Sequence, residues 1–136
     1  MAAIVDTNIL VRMIFNTESN PEQHEKAKKI MRQERLVVPT VVFCEFVWVL
    51  RSCYKKNNAE IAKAIRIFLD APVITNKEEV HAGLEFLENG GDFADGVVVF
   101  SGRRLARNKG FFVSFDRDAV RRALRAGFKA TNAEDF

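Results

Sequence analysis

The stretch AAIVDTNILVRMIF, residues 2–15, changes character partway along. Ala2 to Val5 is a short apolar run of the kind that forms a strand. Asp6 ends it, and Thr7 to Phe15 then reads as a short helix. The same alternation recurs down the chain. Asn20-Pro21 is a cap followed by proline in the first turn, and opens a helix to about Glu34. Leu36 to Val38 reads as a strand, Val41 to Tyr54 as an apolar helix, and Asn58 as the cap of a helix to about Leu69. Pro72 to Ile74 is a third strand, and Asn76 caps Lys77 to Leu87. After Gly90-Gly91, Asp92 starts a helix to about Asn108, closed by Gly110. Phe111 to Phe115 is a fourth strand, Asp116 to Arg125 a helix ended by Gly127, and Phe128 to Ala130 a last strand. Short apolar strands alternating with helices predict an α/β fold with a short, mainly parallel sheet flanked by helices on both faces. The 136 residues suit one domain spanning 1–136.

In α/β folds the functional groups gather beyond the carboxyl ends of the strands. Asp6 follows the first strand directly and Asp116 the fourth. Glu45 stands in the run VVFCEFVWVL, residues 41–50, which is apolar on every side. A helix of that kind is expected to be buried on most sides, where an ionised carboxylate is costly unless it is paired or binds a cation. An ion pair with an Arg, or one exposed edge, would also satisfy it. Asp92 and Asp95 are three apart at a helix start and share a face. Asp92 serves equally well as an N-cap. Asp95 precedes Gly96-Val97-Val98-Val99-Phe100, a run that reads as buried. Asp116 is an acceptable cap for the last helix, and Asp118 complements that helix's dipole. Taken together, several carboxylates placeable at one end of a sheet repel one another unless neutralised. Oxygen donors of this kind suit Mg²⁺ or Mn²⁺. Such an ion can generate hydroxide from water and stabilise charge on a phosphodiester.

The rest of the composition narrows the field. Net charge is only +3, but Ser101 to Lys129 holds nine Lys or Arg against Asp116 and Asp118. This basic third suits a polyanionic partner, although solvated helix faces would look the same. The two cysteines, Cys44 and Cys53, lie in one apolar helix and read as reduced, buried thiols of a cytoplasmic protein. No zinc spacing, GxSxG elbow, Cys–His signature, P-loop or GxGxxG occurs. The longest apolar run is too short to span a bilayer, and nothing at the N-terminus reads as a signal peptide.

Four stretches, IVDTNIL, VVFCEFVWVL, GGDFADGVVVF and FFVSFD, resemble the four signature regions of PIN domains, in order and across nearly the whole chain. Their spacing looks like that of the single-domain VapC-type toxins of toxin–antitoxin pairs. The resemblance implies that Asp6, Glu45 and Asp95 are the three principal metal-binding acids, with Asp116 the fourth and more variable one. Asp92 matches an extra acid able to touch the metal or its waters. Thr7 and Asn8 match the polar pair that orients the first acid, and Ser114 the usual Thr or Ser. Gly96 replaces the usual alanine, a change expected to loosen the helix at about 1 kcal/mol relative to Ala. The implied activity is endoribonuclease cleavage of structured RNA such as tRNA or rRNA, with Mg²⁺ (or Mn²⁺) as cofactor. The implied partners are a VapB-like antitoxin, whose tail covers the acids, and a second copy of the chain in a homodimer.

On that basis Arg103, Arg104, Arg107, Arg121, Arg122 and Arg125 are expected to hold the RNA backbone. Phe93 or Phe111 could stack a base, but twelve phenylalanines in a small domain are mainly core. Three other readings use the same residues: a housekeeping RNA-processing nuclease, a catalytically silent PIN module that binds RNA or a partner, and a receiver-like domain phosphorylated on a strand-end Asp. The last wants a second acid after the first strand, where Thr7-Asn8 stands, and a strand-end Lys that is not evident.

Overall fold

The structure, a computed structural model, describes residues 1–15 and 20–136. It is an α/β protein with parallel strands and, among the described residues, seven α-helices. None of these helices is long and apolar enough to cross a membrane. The chain resolves into two compact units, Met1–Lys77 and Glu78–Phe136.

The first unit is organised by three parallel strands, β1 (Ala2–Ile4), β2 (Arg35–Val37) and β3 (Val73–Ile74), in that spatial order. The register pairs Ile4 with Val37 and Val37 with Ile74. The ladder continues past the strand ends, where Val5 N–H donates to Val37 O and Val38 N–H to Ile74 O. Four helices join and cover the strands: α1 (Thr7–Ile14), α2 (Pro21–Gln33), α3 (Thr40–Ser52) and α4 (Asn58–Asp70). Asn20 caps α2 with Pro21 at its first position, as its sequence predicts. The cap of α4 is Asn57 rather than Asn58. Asn57 and Glu60 form a reciprocal capping box, which fixes the start one residue earlier. Phe43 and Phe46 of α3 meet Phe68 of α4 edge-on, with ring centroids 6.3 and 5.7 Å apart. All three rings are fully buried, and each contributes roughly 1.5–3 kcal/mol by leaving water.

The second unit contains α5 (Lys77–Glu88, opening at the boundary), α6 (Phe93–Leu105), β4 (Phe112–Ser114), α7 (Arg117–Arg125) and β5 (Ala130–Asn132). Strands β4 and β5 pair in parallel, with Val113 opposite Thr131. A single turn of 3₁₀ helix, Ala133–Asp135, follows. Phe86, Val99 and Ala123 form a small core against which Phe112 and Phe128 pack. Helix α6 stops at Leu105, short of the expected Asn108. Arg107 and Asn108 take positive φ, so the left-handed turn is made before Gly110 is reached. The final strand lies two residues later than expected. Around β4, Phe111, Val113 and Phe115 alternate outward, as the two-residue period of a strand with one open face requires.

Gly96 has a different role from the one its helix propensity suggests. A Cβ there would overlap the carbonyl oxygen of Ala82 and sit 3.0 Å from the Cα of Gly83. At Gly83 a Cβ would come within 2.6 Å of the Phe93 ring. Helices α5 and α6 therefore approach backbone to backbone at Gly83 and Gly96, an approach open only to glycine. Propensity alone would make Gly96→Ala stabilising by about 1 kcal/mol. The close approach reverses the sign: Gly96→Ala is expected to lower the urea midpoint, with a cost of roughly 1–3 kcal/mol from overpacking. A midpoint at or above wild type would show that the helices can part without loss.

Candidate functional site

Parallel pairing of β1 and β2 puts the ends of both strands at one edge of the sheet. Asp6 is two residues past β1, and α3 begins three residues past β2. The helix that carries Glu45 thus starts where Asp6 stands. Asp6 is the N-cap of α1, its Oδ1 accepting from Ile9 N–H at 3.1 Å. The next residue, Thr7, is nearly buried and donates from Oγ1 to Glu45 Oε2 at 2.8 Å. This bond ties the carboxylate of α3 to the segment that follows β1. Asn8 is exposed beside them.

Glu45 itself is exposed, which corrects the expectation of a buried charge. The apolar run has two faces. Phe43, Phe46, Val47 and Leu50 are buried, whereas Val41 and Trp48 are 62% and 64% exposed and share the face of Glu45. Cys53 is exposed and Cys44 intermediate, so neither thiol is buried as expected. Trp48 is the residue that sequence reading missed. Its position three after Glu45 places it one turn along the same face, which a run of apolar neighbours hides.

The second unit holds the other acids. Asp92 caps α6, its Oδ1 accepting from Ala94 N–H at 3.3 Å. Asp95 lies in the first turn and is half-buried. The run after it is not uniformly buried: Val99 is, but Val98 faces out. Asp116 caps α7, accepting from Asp118 and Ala119 N–H at 2.9 and 3.2 Å. Ser114 Oγ accepts from Asp116 N–H at 3.0 Å and so steadies that cap. Burial raises the Asp95 carboxyl above its ordinary 3.8; Asp92 and then Asp116 push it the same way, and Arg122 opposes them. Asp95 therefore feels both neighbouring acids, and one half-buried cation offsets them in part.

Several of the arginines expected to hold RNA are already occupied. Arg104 pairs with Glu78 and Arg121 with Asp118. Arg122 donates to Gly90 O at 2.9 Å and lies against Gly91, so it anchors the loop before Asp92. The Arg103 guanidinium sits 4.2 Å above the Phe128 ring, and Arg107 and Arg125 are exposed. Phe93 is fully buried and unable to meet a base, while Phe111 is half-exposed and stacks on Phe136.

Among the described residues no three Asp, Glu, His or Cys side chains form a ready-made metal cluster. The donor chemistry nonetheless fits a hard divalent ion: the candidate metal ligands are all carboxylates. Asp95 also resists ionisation, through burial first and then through the negative charge of Asp92 and Asp116, and a cation relieves the second of these.

The raised carboxyl has a sign that can be checked. Folded protein holds the Asp95 proton more tightly than unfolded chain does, so stability falls as pH rises above the ordinary carboxylate value. Asp95→Asn removes the charge at nearly constant shape. In chelator at pH 7 it should melt above wild type, and the difference should vanish below about pH 4. A variant that melts below wild type at neutral pH would overturn this account of Asp95.

The family described as PIN domain matches residues 3–124. None of the curated proteins compared with the chain matches it. PIN domains are in general metal-dependent nucleases. With the strand-end acid, the α3 glutamate and the capping acids of α6 and α7 all inside the matched span, the chain belongs to the PIN domain family.

Proposed function

We propose that the protein is an endoribonuclease dependent on Mg²⁺ or Mn²⁺, and that it acts as the toxin of a VapBC-type pair on structured RNA such as tRNA or rRNA. Family membership supports the nuclease class. The observation that carries the site is the Thr7–Glu45 hydrogen bond, which holds the α3 carboxylate beside the segment of Asp6. The reading takes residues 1–136 as one catalytic domain. It enlists Asp6 and Glu45 from the first unit, and Asp95, Asp116 and Asp92 from the second, as donors to the metal. When bound, the ion supplies an activated water and stabilises charge on the phosphodiester.

The chain's own residues supply the rest. Thr7 fixes the Glu45 rotamer, so less order has to be created when substrate arrives. The capping bonds of Asp92 and Asp116 each use one carboxylate oxygen, Oδ1. Exposed Arg103, Arg107 and Arg125 contact RNA phosphates, while Arg104, Arg121 and Arg122 must first exchange their present partners. In the toxin reading, a VapB-like antitoxin neutralises these acids with a cationic tail, and the cytoplasmic protein is a homodimer.

Cleavage of a labelled structured RNA in Mn²⁺ tests the chemistry. A metal ligand is worth several kcal/mol of transition-state stabilisation, so Asp6→Asn, Glu45→Gln and Asp95→Asn should each slow cleavage roughly 100-fold or more. Wild-type rates in the first two variants would refute the site. Growth arrest on expression, relieved by the antitoxin and absent in the Glu45→Gln variant, tests the toxin role. Sequencing of RNA ends from the arrested cells then names the target.

A further inference from the structure

We propose that Trp48 is a base-stacking platform that holds the nucleotide next to the scissile phosphate, so that the RNA must be unpaired where it is cut. The inference rests on the nuclease reading above and adds a residue to its binding surface. Trp48 is the only tryptophan in the chain. It projects from α3 with 64% of its surface in water, although indole is among the side chains that gain most from leaving it. The buried face of α3 is completed by Phe43, Phe46, Val47 and Leu50, so the core does not require Trp48.

Its neighbours on the open face specify the occupant. Glu45 lies one turn before it and Arg51 one turn after, each about 4.5 Å along the axis. Arg51 is exposed and is held by a 2.7 Å hydrogen bond from its Nη2 to Asn58 Oδ1. Lys55, which is exposed, and Lys56, which also pairs with Glu60 at 3.8 Å and lies over the Phe15 ring, follow where the helix ends. The order along the face is therefore carboxylate, indole, cations. A single RNA strand matches that order: a phosphate at the metal-binding end, a flat base on the indole, and further phosphates beside Arg51 and the lysines. A second copy of the chain fits less well. Val41 and Trp48 are the large apolar groups exposed on this face, and two side chains fall far short of the roughly 1,000 Å² that a stable interface needs. Stacking reads no sequence but demands a base free of its duplex neighbours, and so restricts the substrate to loops, bulges and ends.

With one tryptophan, fluorescence excited selectively at indole reports on Trp48 alone. Full-length protein in EDTA, where it should not cleave, is titrated with a single-stranded RNA oligonucleotide and with the same sequence as a duplex. Saturable quenching by the single strand and weaker quenching by the duplex are expected. Trp48→Ala should weaken single-strand binding, measured by anisotropy of labelled RNA, about 5- to 150-fold. Trp48→Phe should keep most of the affinity, which covers the case in which the alanine variant folds poorly. RNA binding with no change in Trp48 emission overturns the proposal, as does no binding at all. So does emission that tracks protein concentration alone while Trp48→Ala turns dimer into monomer at unchanged RNA affinity, the result expected if a second copy covers this face. If wild-type protein in Mn²⁺ leaves the RNA uncut, the nuclease reading fails, while quenching and the Trp48→Ala affinity still report on stacking.

Discussion

Parallel pairing of β1 with β2 is the constraint on which the first unit's chemistry depends. Antiparallel neighbours would send one strand's exit to the opposite edge and leave Asp6 and α3 at different ends of the sheet. Parallel neighbours put both exits together. The register does so closely, since Ile4 lies opposite Val37 and the ladder runs on through Val5 and Val38. Thr7 then needs only its own short side chain to reach Glu45. A hydroxyl is well chosen for the task. It donates one proton to the carboxylate and adds no charge, so the acid keeps its capacity to bind a cation, which a Lys or Arg partner would largely cancel.

The second unit solves a different problem, that of holding acids together against their repulsion. Gly83 and Gly96 let α5 and α6 touch along their backbones, which brings the first turn of α6 under cover. Asp95 is carried there and is partly stripped of water. Asp92 and Asp116 are tied down as caps, each satisfying backbone N–H groups that would otherwise be orphaned. Arg122 compensates only in part, because its guanidinium also serves Gly90. Such residual strain in charge is common where a fold serves chemistry rather than its own stability.

Most of the fold was legible because its signals are local. Asp6, Asn20, Asp92 and Asp116 each cap the helix they precede, and each announces itself as a short polar residue before an apolar or periodic run. Asn57 and Asn58 differ only in which has a Glu three residues on, and Glu60 decides for Asn57. What was not legible depends on packing. The run around Glu45 is apolar on every side, so periodicity could not say which residues would face water. The α3 helix buries Phe46 and exposes Trp48, and hydrophobicity alone would have ranked both as core. Gly96 was misjudged for the same reason, since a propensity scale describes an isolated helix and the neighbour here is another backbone.

The exposure of Glu45 reverses the argument first made for it. A buried carboxylate would have implied a cation by necessity. An exposed one implies nothing by itself, because water stabilises its charge well. The case for Glu45 therefore moves from energy to geometry: a fixed rotamer, a neutral donor and a strand-end acid close by. The energetic argument belongs to Asp95 instead, where burial and two like charges act against the ionised form. A divalent ion bound there would stabilise the folded state by an amount that grows with the logarithm of its concentration relative to its Kd. The first unit offers ordered and accessible carboxylate oxygen at Glu45, and the second, taken by itself, crowds negative charge around a half-buried acid.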